Sequence, residues 1–294
     1  MSNHPVASII CALIAALLFA VAAVAQQRAA AAVAEGDALI GALVRNPRWW
    51  AGLVGDAGGY GMQVAALALG AVLLVQPILV SSLVFALPLA ARLNGRRVTG
   101  REMGMAVALT AGLACFVVIG DPTEGKSTAP LHDWIVPMGV LLVLIVAAVI
   151  AGLRSGPAPR ALLLGVASGS LYGVAAALTS YVSGLFEHGF GHVLTSWQTW
   201  TLVAAGITGV YLQQLAFQAG PLSASLPTVM IAEPLVAAFL GRTVLDERLQ
   251  AHGFGLVITG IAVLIMCVTA VGLSRSQAQA GAVAAEEPAQ SVAR

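Results

Sequence analysis

Charge is what this chain has least of. Only 9% of its 294 residues are Asp, Glu, Lys or Arg, while 59% are hydrophobic. A soluble domain carries roughly 25% charged residues. A water-soluble globule of this length cannot hide so much apolar surface, so most of its solvent must be lipid. The net charge is +1 and no basic face stands out, which excludes nucleic acid as a partner. Cysteine is scarce too: Cys11, Cys115 and Cys267 each sit alone in an apolar run. That spacing excludes a disulfide framework and a thiolate metal site, and leaves three small hydrophobes. No Gly-rich loop ending in Lys-Ser or Lys-Thr occurs, so the chain does not itself hydrolyse a nucleotide. No histidine lies in the interior of an apolar segment, which removes the nucleophile–histidine pair of an intramembrane serine protease. The run Gly52-Leu53-Val54-Gly55-Asp56 also misses the Gly-x-Gly-Asp spacing of an aspartyl protease. Neither an enzyme nor a cofactor is expected.

What the chain does have is long apolar runs. A spanning helix needs ~20 mostly apolar residues. The runs predict nine spans, at about 5–26, 49–69, 72–93, 102–120, 134–153, 160–185, 195–218, 222–244 and 252–273. The expected fold is an all-α membrane protein. The first run is expected to stay as a membrane helix, not to be cleaved as a signal: Met1 to Pro5 carries no Lys or Arg, whereas signals begin with a basic region. Connections 1–2, 3–4 and 5–6 and the tail hold Arg28, Arg45, Arg48, Arg92, Arg96, Arg97, Arg101, Arg154, Arg160, Arg275 and Arg294. The opposite side holds only Lys126, Arg242 and Arg248. Basic excess marks the cytoplasmic side, so the N-terminus is expected outside and the C-terminus inside an inner membrane. The tail 274–294 is Ala, Gln, Ser and Glu, a composition expected to be disordered in the cytoplasm.

The second half repeats the first. A shift of 151 carries Gly58 onto Gly209, Tyr60 onto Tyr211, Gln63 onto Gln214 and Ala65 onto Ala216, with Trp49 falling on Trp200. A shift of 153 carries Leu18, Val21, Ala22 and Ala23 onto Leu171, Val174, Ala175 and Ala176. The domains are then a first repeat, 1–153, with five spans, and a second, 154–273, with four. An odd number of spans before the second copy makes the repeat inverted, an arrangement common among transporters. Gly165, Gly169 and Gly173 form a small-residue ridge whose counterparts are Ala12, Ala16 and Ala20. Small residues four apart let helices approach closely in lipid.

Charges inside a membrane cost roughly 2.5–3.5 kcal/mol on insertion scales and mark function by default. Glu233 sits eleven residues into the eighth run, followed by Pro234 and preceded by Pro227. A proline removes one backbone hydrogen bond and frees a carbonyl, so this carboxylate has oxygen ligands beside it for a cation, or is a proton site. Asp56 lies among Gly55, Gly58 and Gly59 in the second run, where close approach of a helix or ligand is easy. Both acids break the repeat: Asp56 aligns with Ile207 and Glu233 with Ser82. An inward polar set is expected around them: Tyr60, Gln63, Gln76 beside Pro77, Tyr172, Thr179, Ser180, Tyr211, Gln213 and Gln214. Asp56 and Glu233 are also the candidate metal ligands. His132, His188 and His192, near Asp133 and Glu187, are expected in outer loops.

The stretch 222–273, with Gly241, Asp246-Glu247-Arg248-Leu249, Gly255 and Gly260, resembles the C-terminal half of an EamA-type repeat of the drug/metabolite transporter superfamily. The likeness spans about 5–273. The first copy has Arg96-Arg97-Val98 in place of the acidic turn, and the second lacks the tenth span of complete members. The nine-span count and Gln76-Pro77-Ile78-Leu79-Val80 are similar to the NIPA-like branch, whose members are linked to magnesium transport. The superfamily resemblance implies a secondary transporter of a small metabolite or drug, with Glu233 as the proton-coupling acid. The branch resemblance implies Mg²⁺, which keeps most of its waters and takes one or two carboxylates. A non-transporting scaffold is the alternative of another class. Expected partners are a small molecule or cation and the bilayer, and a homodimer is compatible with the sequence.

Overall fold

The fold is given by a computed structural model of the chain. The structure describes residues 5–31, 45–93, 95, 97–123, 125–126, 129–186, 189–219 and 222–292; within these, side chains are described except for 26–31, 214, 217–218, 222–224, 277–278 and 280–292. Arg96, Glu187 and His188 lie outside the described residues, as does the side chain of Gln214.

Helix dominates the described residues. In chain order the helices are α1 (Pro5–Ala31), α2 (Pro47–Leu69), α3 (Val72–Leu79), α4 (Ser82–Leu93), α5 (Gly100–Cys115), α6 (Leu131–Leu153), α7 (Pro157–Leu185), the short α8 (Phe190–Thr195), α9 (Trp197–Ala219), α10 (Leu222–Thr243) and α11 (Phe254–Val292). A π-helical turn, Phe116–Gly120, prolongs α5. Among the described residues the exception to helix is a two-residue antiparallel pair, β1 (Pro122–Thr123) with β2 (Arg248–Leu249).

Six stretches are long and apolar enough to cross a membrane among the described residues: Pro5–Ala25, Val72–Leu93, Gly100–Gly120, Leu131–Leu153, Pro157–Leu185 and Phe254–Ser276. The protein is therefore a multi-pass helical membrane protein by length and composition. Helices also occupy the other three expected positions, α2, α9 and α10. Large apolar side chains face outward in number, among them Val136, Ile207 and Val118 at 71%, 68% and 77% exposed. In water such a surface aggregates; against lipid it is the solvated surface.

Helix boundaries follow local chemistry. Asn46 caps α2 by accepting from the Arg48 amide at 2.9 Å, with Pro47 in the first turn. Thr99 and Glu102 form a reciprocal capping box on α5, the arrangement Ser/Thr-x-x-Glu favours. The expected third span is broken: Pro77 lies inside α3, which ends at Leu79, and α4 restarts at Ser82. Proline has no N–H to continue the ladder, and i→i+3 bonds from Ser81 to Ile78 and from Leu83 to Val80 close the break at 3.0 and 3.1 Å. The last helix takes in most of 274–294, the segment expected to be disordered. Ala, Gln and Glu are good helix formers, so propensity carries the helix past its apolar end.

The centre of the bundle is α7. Its small-residue ridge packs on α10: a Cβ on Gly169 would stand 2.6 Å from the Val229 carbonyl, and one on Gly173 2.5 Å from the Glu233 carbonyl. The counterparts Ala12, Ala16 and Ala20 on α1 are fully buried. The duplication is realised in matching contacts. A Cβ on Gly58 of α2 would touch Leu18 of α1 at 3.6 Å, and one on Gly209 of α9 would touch Leu171 of α7 at 3.5 Å. Those are the same two positions in the two copies.

Candidate functional site

The central polar site is built from α2, α7, α9 and α10. Glu233 is half-buried at the middle of α10, twelve residues into a 22-residue helix. Its backbone lies against Gly173, so Tyr172, one residue earlier on α7, is held at the same level. The Tyr172 hydroxyl donates to Oε1 of Gln213 on α9 at 3.1 Å. Its ring lies over Gly209, where a Cβ would stand 2.9 Å from Cε1. Tyr172 is within electrostatic range of Glu233 on α10 and, more weakly, of Asp56 on α2. In the first copy that ring position is Phe19, packed 2.7 Å from where a Cβ on Gly59 would be. The second copy adds the hydroxyl.

Asp56 and Tyr60 are one helical turn apart on α2, and Asp56 is half-buried. Tyr60 bonds Thr179 Oγ1 on α7 at 3.1 Å, and Thr179 itself bonds the Ala175 carbonyl at 2.7 Å. With the threonine hydrogen committed to that carbonyl, Tyr60 is the donor. Ser180 reaches the Leu67 carbonyl at 3.4 Å. Gln63 is buried at 6% exposure. The glycines beside Asp56 serve helix packing: Gly55 would meet Ala22 at 3.2 Å, and Gly58 and Gly59 meet Leu18 and Phe19.

Two tyrosines depart from the expected inward set: Tyr211 is 63% exposed, and Tyr60 is 44% exposed although its hydroxyl reaches Thr179. Gln213 faces α7, and two residues on a helix turn through roughly 200°, so Tyr211 points outward. Among the described residues, no three of His, Cys, Asp or Glu gather as a metal site. Glu233 and Asp56 are the two carboxylates whose charge reaches Tyr172. His132 pairs with Asp133 at 3.1 Å on the surface.

Gln76 is in a different place. It is 2% exposed, its Nε2 has no hydrogen-bond partner, and it lines an apolar cavity of about 220 Å³ between α3, the π-turn, α10 and α11. Neither this cavity nor a smaller polar one near Gly70, Lys126 and Glu247 is lined by Asp56, Tyr172 or Glu233.

The acidic turn after α10 has a role that sequence reading did not assign. Glu247 is 2% exposed, and its two carboxylate oxygens accept from the Val72 and Leu73 amides at 2.7 and 2.8 Å. The second copy thus caps the first turn of α3 in the first copy, where free N–H groups and the helix dipole favour an anion. The α3 start carries no Ser, Thr, Asp or Asn of its own; Ala71 occupies the cap position. That missing cap was the available signal. Beside it, Asp246 is paired with Arg248, Arg242 and Lys126 at 3.0, 3.8 and 4.0 Å. The hydrogen-bonded Arg248 guanidinium holds the Asp246 carboxyl below its ordinary range. These are the three basic residues that the charge count separated from all the others. At the opposite end, buried Glu102 accepts from Thr99 and from Ser276 Oγ, tying α5 to α11. The Thr99-x-x-Glu102 spacing signals the cap; nothing in the sequence signals Ser276.

An uncharacterized protein of Corynebacterium glutamicum is 38% identical to the chain over 244 residues, covering 81% of this chain and 82% of that protein. The chain belongs to that protein's family. A match of that length must include parts of both copies. No protein-family model matches the chain, and no solved structure does.

Proposed function

We propose that this family member is a secondary transporter of the drug/metabolite type, moving a small metabolite or drug across the inner membrane. The observation that carries the reading is Glu233 at the middle of α10, its backbone against Gly173 of α7 and its charge within range of Tyr172. Asp56 of the other copy lies within weaker electrostatic range of the same phenol. Intramembrane acids facing a bundle interior mark substrate or proton paths. The glycine-lined seam between α7 and α10 and the proline break between α3 and α4 are features of helices that rearrange around a central site. In this reading the nine long helical segments all cross the bilayer as an inverted five-plus-four repeat. The N-terminus is outside, and the Asp246–Glu247 turn is on the outer face. Glu233 takes up and releases a proton as substrate moves, and Tyr172, held by Gln213, lines the path beside it.

The test is a radiotracer panel of small metabolites and drugs on the purified full chain in proteoliposomes, with and without a pH gradient. The reading expects at least one solute to accumulate with the gradient and to equilibrate without it. Absence of protein-dependent flux for every solute, under both conditions, would leave the scaffold alternative standing instead.

A further inference from the structure

The two copies are strapped together at the end of the bundle that carries Asp246 and Glu247. The Gln250 amide donates to the Gly120 carbonyl at 3.0 Å, the Lys126 amide to the Leu245 carbonyl at 2.6 Å, and Thr123 Oγ1 to the Arg248 carbonyl at 3.0 Å, around the β1–β2 pair. A two-residue ladder is weak by itself. The buried bonds are those of Glu247 to the Val72 and Leu73 amides. The backbone of the strap is strained on both sides. Asp121 and Asp246, with φ of 40° and 56°, are the non-glycine residues of positive φ among the described residues. Such conformations persist where surrounding bonds impose them, and they gather in switch regions. The π-turn Phe116–Gly120 runs straight into Asp121, and π-turns too are frequent at functional places. Against the strap lies the small polar cavity, of about 50 Å³, with room for water. Gly125, Lys126, Leu245 and Glu247 line it from the strap, and Ser180 and Tyr181 line it from α7. Ser180 is half-buried and follows Thr179, which holds Tyr60.

We propose that the strap is a movable closure: Glu247 holds it shut, and release of Glu247 from the α3 amides parts β1 from β2 and opens the cavity beside Ser180 to bulk water. The strap then has two discrete arrangements. Shut, the carboxylate is satisfied by two amides and the start of the α3 dipole. Open, water replaces those bonds, and Asp121 and Asp246 are free to leave their left-handed conformations. The net cost of opening is small, because hydration offsets most of what is lost. The tie of Glu102 to Ser276 at the opposite end of the bundle stays in place, so the copies separate at one end only. What passes the closure rests on the transport reading, in which it is the outer gate toward Thr179 and Tyr60. The movement itself does not.

The experiment uses the full chain in detergent, with Cys11, Cys115 and Cys267 replaced by alanine and Ser180→Cys as the reporter. The probe is methanethiosulfonate ethyltrimethylammonium, a permanent cation that reacts with thiols reached by water, followed by intact mass. Glu247→Gln should speed labelling about tenfold, the worth of one bond to a charged group. Val72→Pro should do the same with the carboxylate intact. It deletes one donor at the first helical position, where proline is well tolerated, and Ala71 before it is already extended. A folded variant is thus at hand even where the glutamine protein fails to fold. Ser276→Ala, at the far end, should leave the rate unchanged. Unchanged labelling in the folded strap variants, or equal acceleration by Ser276→Ala, overturns the proposal. A second arm oxidises the double variant Thr123→Cys, Arg248→Cys, paired positions of β1 and β2, in proteoliposomes without the reporter. Flux that stops on oxidation and returns on reduction makes the closure the gate of the path, and flux that persists through the disulfide overturns that gate. Faster labelling with no flux under any condition leaves the closure standing and removes the transport reading.

Discussion

Helices α6 and α7 are joined by a short turn and have opposite surroundings. Within its membrane-length window α6 is 11% buried by the rest of the protein, while α7 is 72% buried. Yet α6 is built of Val, Leu and Ile, whereas α7 is a run of Gly, Ala and Ser with Tyr172 and Thr179. The more hydrophobic helix is the more exposed one. In water that would be inverted. In lipid it follows from the absence of a hydrophobic drive between helices. Bulky side chains gain nothing from the interior and stay in hydrocarbon, while small residues give close backbone contact and leave room for polar groups. The comparison teaches that in this molecule the site is found by smallness and polarity, and that the greasiest helix is the least informative.

The same substitution on the two helices should separate them most strongly. Gly169→Leu drives a side chain into the Val229 carbonyl of α10, while the Cβ position on Gly139 of α6 meets nothing within 4 Å. Overpacking costs about 1–3 kcal/mol and more where backbone cannot move. Gly169→Leu should therefore collapse the monodisperse peak in fluorescence-detected size exclusion, and Gly139→Leu should leave it within about 0.5 kcal/mol of wild type. Equal effects would remove the distinction between the two helices.

A lysine at Val143 of α6, 68% exposed, is the next test. Against lipid it should cost about 2.5–3.5 kcal/mol on insertion and lower the membrane-integrated yield. In water it would be harmless, so normal yield would contradict a lipid-facing α6. Glu247→Gln, which replaces one charged oxygen at the α3 cap by an amide donor, should cost about 1–2 kcal/mol, read as a lowered thermal midpoint. The smallest effect concerns Asp246. Its folded carboxyl sits below the ordinary 3.8, so its contribution is present above that value and is lost as pH falls through the lower folded one. Wild type should lose this contribution as pH falls below the ordinary carboxylate range, and Asp246→Asn should lack the acid step at every salt concentration.

The sequence made some of this legible and hid the rest. Periodless apolar runs gave nearly every helix boundary, because a spanning helix must satisfy its own backbone. The offset Leu18–Leu171 and Gly58–Gly209 gave contacts that do recur. The ridge of Gly165, Gly169 and Gly173 was read as a close helix pair, and it is one, with α10 as the neighbour. The break after Pro77 was not foreseen: a proline kinks or ends a helix depending on what closes the ladder, and that is decided by neighbours. Rotation about a helix axis was equally hidden. Tyr211 and its repeat partner Tyr60 lie 63% and 44% exposed, since apolar residues surround both faces of α9 and α2 and no pattern marks the inner one. Glu247 could be found only by asking which buried N–H groups lacked an acceptor.

The central claim is that Glu233 is a working carboxylate of the path and no mere packing group. Its most direct test is flux through Glu233→Gln in proteoliposomes under a pH gradient, with size-exclusion profile and thermal midpoint matched to wild type. The account predicts loss of gradient-driven accumulation in a folded protein. Accumulation at the wild-type rate would contradict it.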